Sequence, residues 1–329
     1  MKVLLFLFLI PFSITAQQLS SYSKDTLLMG GAFAFTALHA NREVAKNAVN
    51  LGIAEVARIE ALISSWQVSS QTSEINRNAG KQPVLVDKEL FNLIERSLKI
   101  SQLSQGYFDI SFASIDKIWS FKGQSQEMPS DSLLAASVAY INYKDIVLNK
   151  ATGTVFLKNP GMKIGFGAIG KGYAADKAKE VMLALGIEDG VVNAGGDLLA
   201  WGYKGNGKVW SIGIADPNDK NRVLSNIEIT NQAIVTSGDY EKYVLINDER
   251  YGHIINPKTG LPAKGIFSVT IIANSAEIAD ALATTVFVLG PEEGLKLIDY
   301  LEGVECIIVN SKNKILYSKG VNLNLVPHD

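Results

Sequence analysis

The stretch Lys163–Asp176, KIGFGAIGKGYAAD, carries four glycines within eight residues, at Gly165, Gly167, Gly170 and Gly172. A short apolar run leads in, and a helix-like segment, Tyr173–Leu185, leads out. Glycines let backbone approach a ligand closely, and a helix N-terminus favours anions. Gly165, Gly167 and Gly170 spell G-x-G-x-x-G, while Gly165, Gly170 and Lys171 spell G-x-x-x-x-G-K. A dinucleotide fingerprint needs an acid closing the next strand, about 20 residues on. Here that strand, Val191-Val192, ends in Asn193, and Glu188 and Asp189 precede it. A P-loop needs Ser or Thr after its lysine to reach Mg²⁺. This chain has Gly172. Neither motif accounts for the stretch, so the surrounding pattern decides the fold.

That pattern is an irregular interleaving of helices and hairpins. Asn41–Ser64 is an amphipathic helix, with Val44, Ala48, Leu51, Val56, Ile59 and Ile63 at helical spacing. Asp87–Ser104, Pro129–Val138, Ala276–Leu289 and Pro291–Leu301 are further expected helices. Strands are expected at Ala32–Leu38, Ile141–Leu148, Thr154–Leu157, Gly190–Asn193, Leu198–Trp201, Trp210–Ala215 and Phe267–Ile272, with closing strands at Val304–Val309 and Lys314–Tyr317. Gln17–Asp25 reads as a polar lead and Ser64–Gly80 as a turn-rich loop. This order points to a mixed α+β architecture rather than a purely parallel sheet.

With 329 residues, 47% of them hydrophobic, the chain has a large core available, as one domain or two closely packed lobes. A formal net charge of −2 gives no electrostatic reason to expect nucleic acid. Met1-Lys2, the apolar run Val3–Phe12 and the small Ala16 before Gln17 read as a secretory signal over residues 1–16, leaving a single domain over 17–329. No cysteine lies near the cleavage point, so no lipid anchor is indicated, and the lone Cys306 makes no internal disulfide.

Several turns gather polar groups. Asp280 and Thr284 share one face of an otherwise small and apolar helix, about 6 Å apart. They are either an oxygen pair suited to Mg²⁺ or a solvated helix edge. Zinc is disfavoured, since His39, His253, His328 and Cys306 are scattered. His253 is a candidate base or a structural histidine, and Trp66 stacks on a flat ring or pins its loop. Met29-Gly30-Gly31 is a ligand-approaching turn or an ordinary one, and Tyr107-Phe108-Asp109 contacts a ring and a hydroxyl or packs in the core.

Taken in order, the G-K-G-Y turn is followed by Asn193-Ala-Gly-Gly-Asp197, Thr236-Ser-Gly-Asp-Tyr240, His253-Ile-Ile-Asn-Pro-Lys-Thr-Gly260 and Ala279-Asp-Ala-Leu-Ala-Thr284. This series resembles the ApbE family, the exported FAD:protein FMN transferases. The resemblance implies two closely packed α/β lobes with mainly antiparallel sheets. It implies a Mg²⁺ site made by the Ala168 carbonyl, Asp280 and Thr284. It places FAD, the substrate, against Met29, Trp66, Tyr107, Phe108, Asp109, Gly165, Lys171 and Ile254. Tyr is the usual aromatic in the Trp66 slot, and Asp is usual at Gly165 and at Asn256. The implied reaction passes FMN to a Ser or Thr hydroxyl of an exported or membrane-bound flavin-accepting protein and releases AMP, with His253 or Asp239 taking the proton. Rival outcomes on the same fold are hydrolysis of FAD to FMN and AMP, and flavin binding without turnover. The expected location is the periplasm or the outer face of the cytoplasmic membrane.

Overall fold

The computed structural model describes residues 19–115, 118–216, 219–239, 243–247, 249–321 and 324–325; the expected signal segment and Tyr240 lie outside them. Its backbone is an eight-stranded sheet of β1 (Ser20–Leu28), β2 (Gly31–His39), β3 (Asp189–Ala194), β4 (Asp197–Trp201), β5 (Gln232–Gly238), β6 (Ile266–Ala273), β7 (Val304–Asn310) and β8 (Ile315–Tyr317). The strands lie side by side in that order, each antiparallel to its neighbour. That arrangement removes the parallel strand–helix–strand unit on which a dinucleotide motif depends.

Seven α-helices are described: α1 (Arg42–Ile63), α2 (Gln71–Arg77), α3 (Lys88–Leu103), α4 (Asp131–Ser137), α5 (Gly170–Ala184), α6 (Ala276–Leu289) and α7 (Pro291–Asp299). The first five fall in the long excursion between β2 and β3. Strand alternation sorts the side chains between two faces. Phe33, Phe35, Val192, Leu199, Trp201, Val235 and Ile271 join the core under the helices. Ala200, Ile234, Ile272 and Ile307 face the other way and are covered by Ile212 and Ile229 of a ribbon formed by Trp210–Asp216 and Asp219–Ile229. A third apolar cluster holds Trp119, Val244, Ile246, Tyr251 and Ile255, and the Trp119 indole donates to the Gly260 carbonyl at 2.7 Å.

Three local expectations change. The polar lead becomes β1, an edge strand whose solvent face has no need of apolar residues. The turn-rich loop contains α2, capped by the Ser70 hydroxyl and burying Thr72, Ser73 and Ile75. The strand expected from Ile141 begins only at Ile146, because a 3₁₀ turn over Tyr143–Asp145 precedes it. There the Asp109 carboxylate accepts from Tyr143 N at 2.7 Å and the Asn142 side chain from Lys144 N at 3.2 Å, so side chains replace ladder bonds.

The glycine-rich stretch also starts without a strand. Ser114 Oγ accepts from Lys163 N at 2.7 Å, Asn76 Oδ1 from Ile164 N at 2.8 Å, and the Ile110 carbonyl from Gly165 N at 2.9 Å. Helix α5 then begins at Gly170, three residues earlier than expected, and takes Gly172 into its first turn. A Cβ on Gly172 would lie 2.0 Å from the Ala276 carbonyl oxygen and 2.9 Å from Asp280 Cβ. Only glycine lets α5 and α6 meet this closely. The two helices then cap each other. Asp280 on α6 accepts from Gly172 N of α5 at 3.1 Å. Asp176 on α5 accepts from Ala276 N and Glu277 N of α6, both at 3.0 Å, and from Ser275 Oγ at 2.7 Å. An Arg96–Glu277 ion pair at 2.6 Å ties α6 to α3, and Tyr173 of α5 donates to Glu89 of α3 at 2.6 Å.

Gly172→Ala should therefore destabilise the protein by about 3 kcal/mol, the upper range for inserting a methyl group into a packed interior. The shift in urea midpoint at constant slope measures it, and a loss below about 0.5 kcal/mol would contradict the close helix contact.

Candidate active site

The first cluster forms where α5 begins. Its N-cap residue, Ile169, offers no side-chain acceptor, so the orphan Gly172 amide is met by Asp280 from α6. Asp280 is 4% exposed. Burial pushes its carboxyl above the ordinary range, while the Lys171 ammonium and the Gly172 and Lys171 amides oppose that rise. Thr284 stands one turn further along α6 and is half-buried, and Ala168 lies in the turn just before α5. Among the described residues, no group of three or more His, Cys, Asp or Glu side chains could hold a metal ion. The oxygen donors here are instead one buried carboxylate, one hydroxyl and backbone carbonyls, a set that suits a hard divalent cation such as Mg²⁺.

Lys171, at the second position of α5, forms an ion pair with Asp197. Asp197 is the first residue of β4, reached through a two-residue turn in which Gly195 and Gly196 have φ of 68° and 102°. The Asn193 side chain accepts from Gly196 N at 2.8 Å and holds that turn. Met29 sits in the equivalent turn between β1 and β2 with φ of 51°. A left-handed methionine is uncommon, and such backbone persists where surroundings enforce it. Its Cε lies 3.5 Å from where a Gly170 Cβ would be, which brings the Met29 turn onto the head of α5.

Gly165 joins this cluster to a second wall. A Cβ there would lie 3.1 Å from Ala113 Cβ and 3.5 Å from Ser65 Oγ. The Trp66 loop follows directly, and Trp66 is 81% exposed, so it does not pin its loop to the core. In the neighbouring tripeptide Phe108 is buried in the core. The Asp109 carboxylate caps the following turn, accepting from Ser111 N at 2.8 Å and Ser111 Oγ at 2.6 Å besides Tyr143 N. Burial raises its pKa, and those hydrogen bonds oppose the rise. Tyr107 alone presents its ring outward, with Lys258 Nζ 3.9 Å from the ring centroid. An open groove of about 510 Å³ runs beside it, lined by Gly106, Asp109, Asn142, Tyr143, Lys144 and Lys258 among others.

The second cluster lies at the far end of β5, which runs on past the start of β4 and so reaches the same end of the sheet. Asp239 follows it, its amide donating to the Phe267 carbonyl at 3.1 Å. Gly252 packs against it so closely that a Cβ there would meet Asp239 Cβ at 2.6 Å, and His253 is the next residue. Asp239 Oδ1 is buried with no hydrogen-bond partner among the described residues. Burial pushes its pKa up to about 6, with Arg250 opposing. The His253 ring meets Phe121 edge-on, with centroids 6.5 Å apart. Ile254 is half-buried, packs against the core and accepts from Ala263 N at 2.8 Å. Asn256 Oδ1 accepts from Lys258 N at 2.9 Å, a capping task that an aspartate would perform equally.

Two residues of this arrangement were not singled out in the sequence. Asp176 was visible only as a carboxylate one turn after Gly172. Asp197 was visible as the last letter of Asn193–Asp197, without a partner to explain it.

Comparison with known proteins follows the same lines. The sequence model of the ApbE family matches residues 29–308. A Klebsiella pneumoniae (strain 342) protein named FAD:protein FMN transferase is 29% identical over 310 residues, 94% of this chain and 95% of that one. A Treponema pallidum (strain Nichols) protein of the same name is 31% identical over 80% of this chain and 76% of its own. The crystal structure of the ApbE protein of Thermotoga maritima superposes with a TM-score of 0.83 at 30% identity, covering 91% of this chain and 97% of that one. The flavin transferase ApbE of Vibrio cholerae, 24% identical with a TM-score of 0.81, covers 92% of this chain and 98% of its own and shares the fold. The match along most of the chain and the shared architecture lead to one conclusion: the chain belongs to the ApbE family.

Proposed function

We propose that this protein transfers FMN from FAD to a Ser or Thr hydroxyl of an acceptor protein and releases AMP. The observation that carries the reading is Asp280, a buried carboxylate at the positive end of α5 with Thr284 one turn away. The names of the family relatives support flavin transfer. Asp280, Thr284 and the Ala168 carbonyl would hold Mg²⁺, which when bound supplies positive charge against the pyrophosphate and the departing AMP.

The chain's own residues do the rest. The hydroxyl oxygen bonds to the FMN phosphorus as the bond from that phosphorus to the AMP oxygen breaks. The hydroxyl proton passes to a base, for which His253 and Asp239 are the candidates. Asp239 qualifies by its buried oxygen and a pKa pushed up to about 6, which leaves it largely ionised at neutral pH. Met29, Gly165 and Lys171 line the approach to the head of α5, and Tyr107 and Trp66 offer ring faces to the flavin or adenine. We propose that residues 1–16 direct export, so that the acceptor is itself an exported or membrane-bound protein.

Incubation with FAD, Mg²⁺ and a flavin-accepting protein should add the mass of FMN to the acceptor and form one AMP per adduct. AMP formed equally without acceptor would favour hydrolysis, and tight FAD binding without either product would leave a flavin carrier. Asp280→Asn keeps an acceptor for Gly172 N, so the fold should persist by circular dichroism while the rate drops about a hundredfold. An unchanged rate would remove Asp280 from the site.

The Asp239 pKa carries a second expectation. Because it rises on folding from 3.8 to about 6, the neutral form is the better tolerated one. Its contribution to stability is complete at low pH and is lost as pH rises through about 6. Asp239→Asn should flatten the melting temperature between about pH 4 and 6 relative to the parent. Parallel profiles for the two proteins would show that Asp239 is not the titrating group.

A further inference from the structure

Two buried carboxylates and one ammonium meet at the head of α5. Asp197 and Asp280 are 3% and 4% exposed, and the first turn of α5 meets both, through Lys171 and through the Gly172 amide. Its ammonium forms an ion pair with Asp197 and acts electrostatically on Asp280 as well. A lysine is a compact charge on a flexible four-carbon stem, able to settle on whichever anion is offered in reach. An ammonium settled on Asp280 would fill the electrostatic place of a metal ion there. The position of Asp197 is set independently of Lys171, by the Gly195-Gly196 turn and by the pairing of Ala194 with Asp197 across β3 and β4. The anion that receives the lysine is thus built into the sheet.

We propose that Asp197 is a positioning residue: by holding the Lys171 ammonium it keeps the Asp280 carboxylate available to a divalent cation. The idea rests on the reading of Asp280 as a metal ligand and adds a role that the ligand set does not contain. It also explains a charge count. One ammonium against two carboxylates leaves one negative charge, which a divalent ion converts to one positive charge facing an anionic pyrophosphate. Without Asp197 the cluster would already be neutral, with Lys171 and Asp280 paired and a weaker demand for a cation.

The test uses Mn²⁺ alone, titrated into the full-length protein and followed by electron paramagnetic resonance. The parent should bind Mn²⁺, and Asp280→Ala should not. Asp197→Asn should weaken Mn²⁺ binding about tenfold, the scale of one charge interaction at a few ångströms' remove. Removing the competitor should undo the defect, so Lys171→Met combined with Asp197→Asn should bind at least as tightly as the parent. Asp197→Ser makes the same cut if the Asn variant does not fold. Mn²⁺ binding that survives Asp280→Ala would overturn the metal reading itself. If that reading stands, equal affinity in the parent and Asp197→Asn would overturn the role of Asp197. So would a double variant that stays as weak as Asp197→Asn.

Discussion

Everything at the head of α5 depends on two helix starts being packed against each other. Both ends carry partial positive charge and unmet amides, so their approach is unfavourable unless anions intervene. Each helix supplies the anion for the other, Asp176 for α6 and Asp280 for α5. Gly172 makes the approach sterically possible, since any side chain would meet the Ala276 carbonyl. The glycines of Lys163–Asp176 therefore serve helix contact as much as ligand approach. The resemblance of this stretch to two nucleotide motifs is a coincidence of composition.

The same exchange explains how a carboxylate comes to stand in an apolar helix. Asp280 is costly to bury, and its cost is offset by the Lys171 charge and by the Gly172 and Lys171 amides rather than by solvent. Asp176 performs only a capping task, with three contacts to α6. Asp280 accepts from two backbone amides, Gly172 and Lys171, and its neighbouring lysine is committed to Asp197. Of the two reciprocal carboxylates, Asp280 is thus the one left with capacity to accept more positive charge.

How much of this could be read in the sequence depended on whether the deciding interactions were local. Helix α6 was legible to the residue, because its apolar run is bounded by the Ser275 cap and by Gly290-Pro291. The antiparallel, mixed fold was legible from the hairpins. Edge strand β1 was not, since half of it faces water and its partner β2 supplies the apolar side chains. Helix α2 was hidden for a related reason, burying Thr72 and Ser73 where an apolar period would be sought. Site residues were legible as types at motif positions, but their duties were not. Phe108 and Asp109 were open between ligand contact and core packing, and the structure shows Phe108 packed in the core and Asp109 capping a turn. Asp197 was legible as the end of the Asn193–Asp197 motif, but its ion pair with Lys171 was not. Asp197 and Asp280 find their partners 26 and 108 residues away in the chain, which no local period encodes.

The order of the sheet carries a consequence for how the molecule is made. Strands β3 to β8 pair in chain order, and so do β1 and β2, but the seam between β2 and β3 closes across residues 40–188. Closing a loop of that length adds little to the equilibrium cost, which grows only as the logarithm of length, but it slows the search. Met29 lies on one side of the seam, α5 inside the loop, and Asp197 and Asp280 beyond it. The Met29 turn therefore reaches the head of α5 only once that seam has closed, so the site is complete only when the longest-range pairing of the sheet is in place.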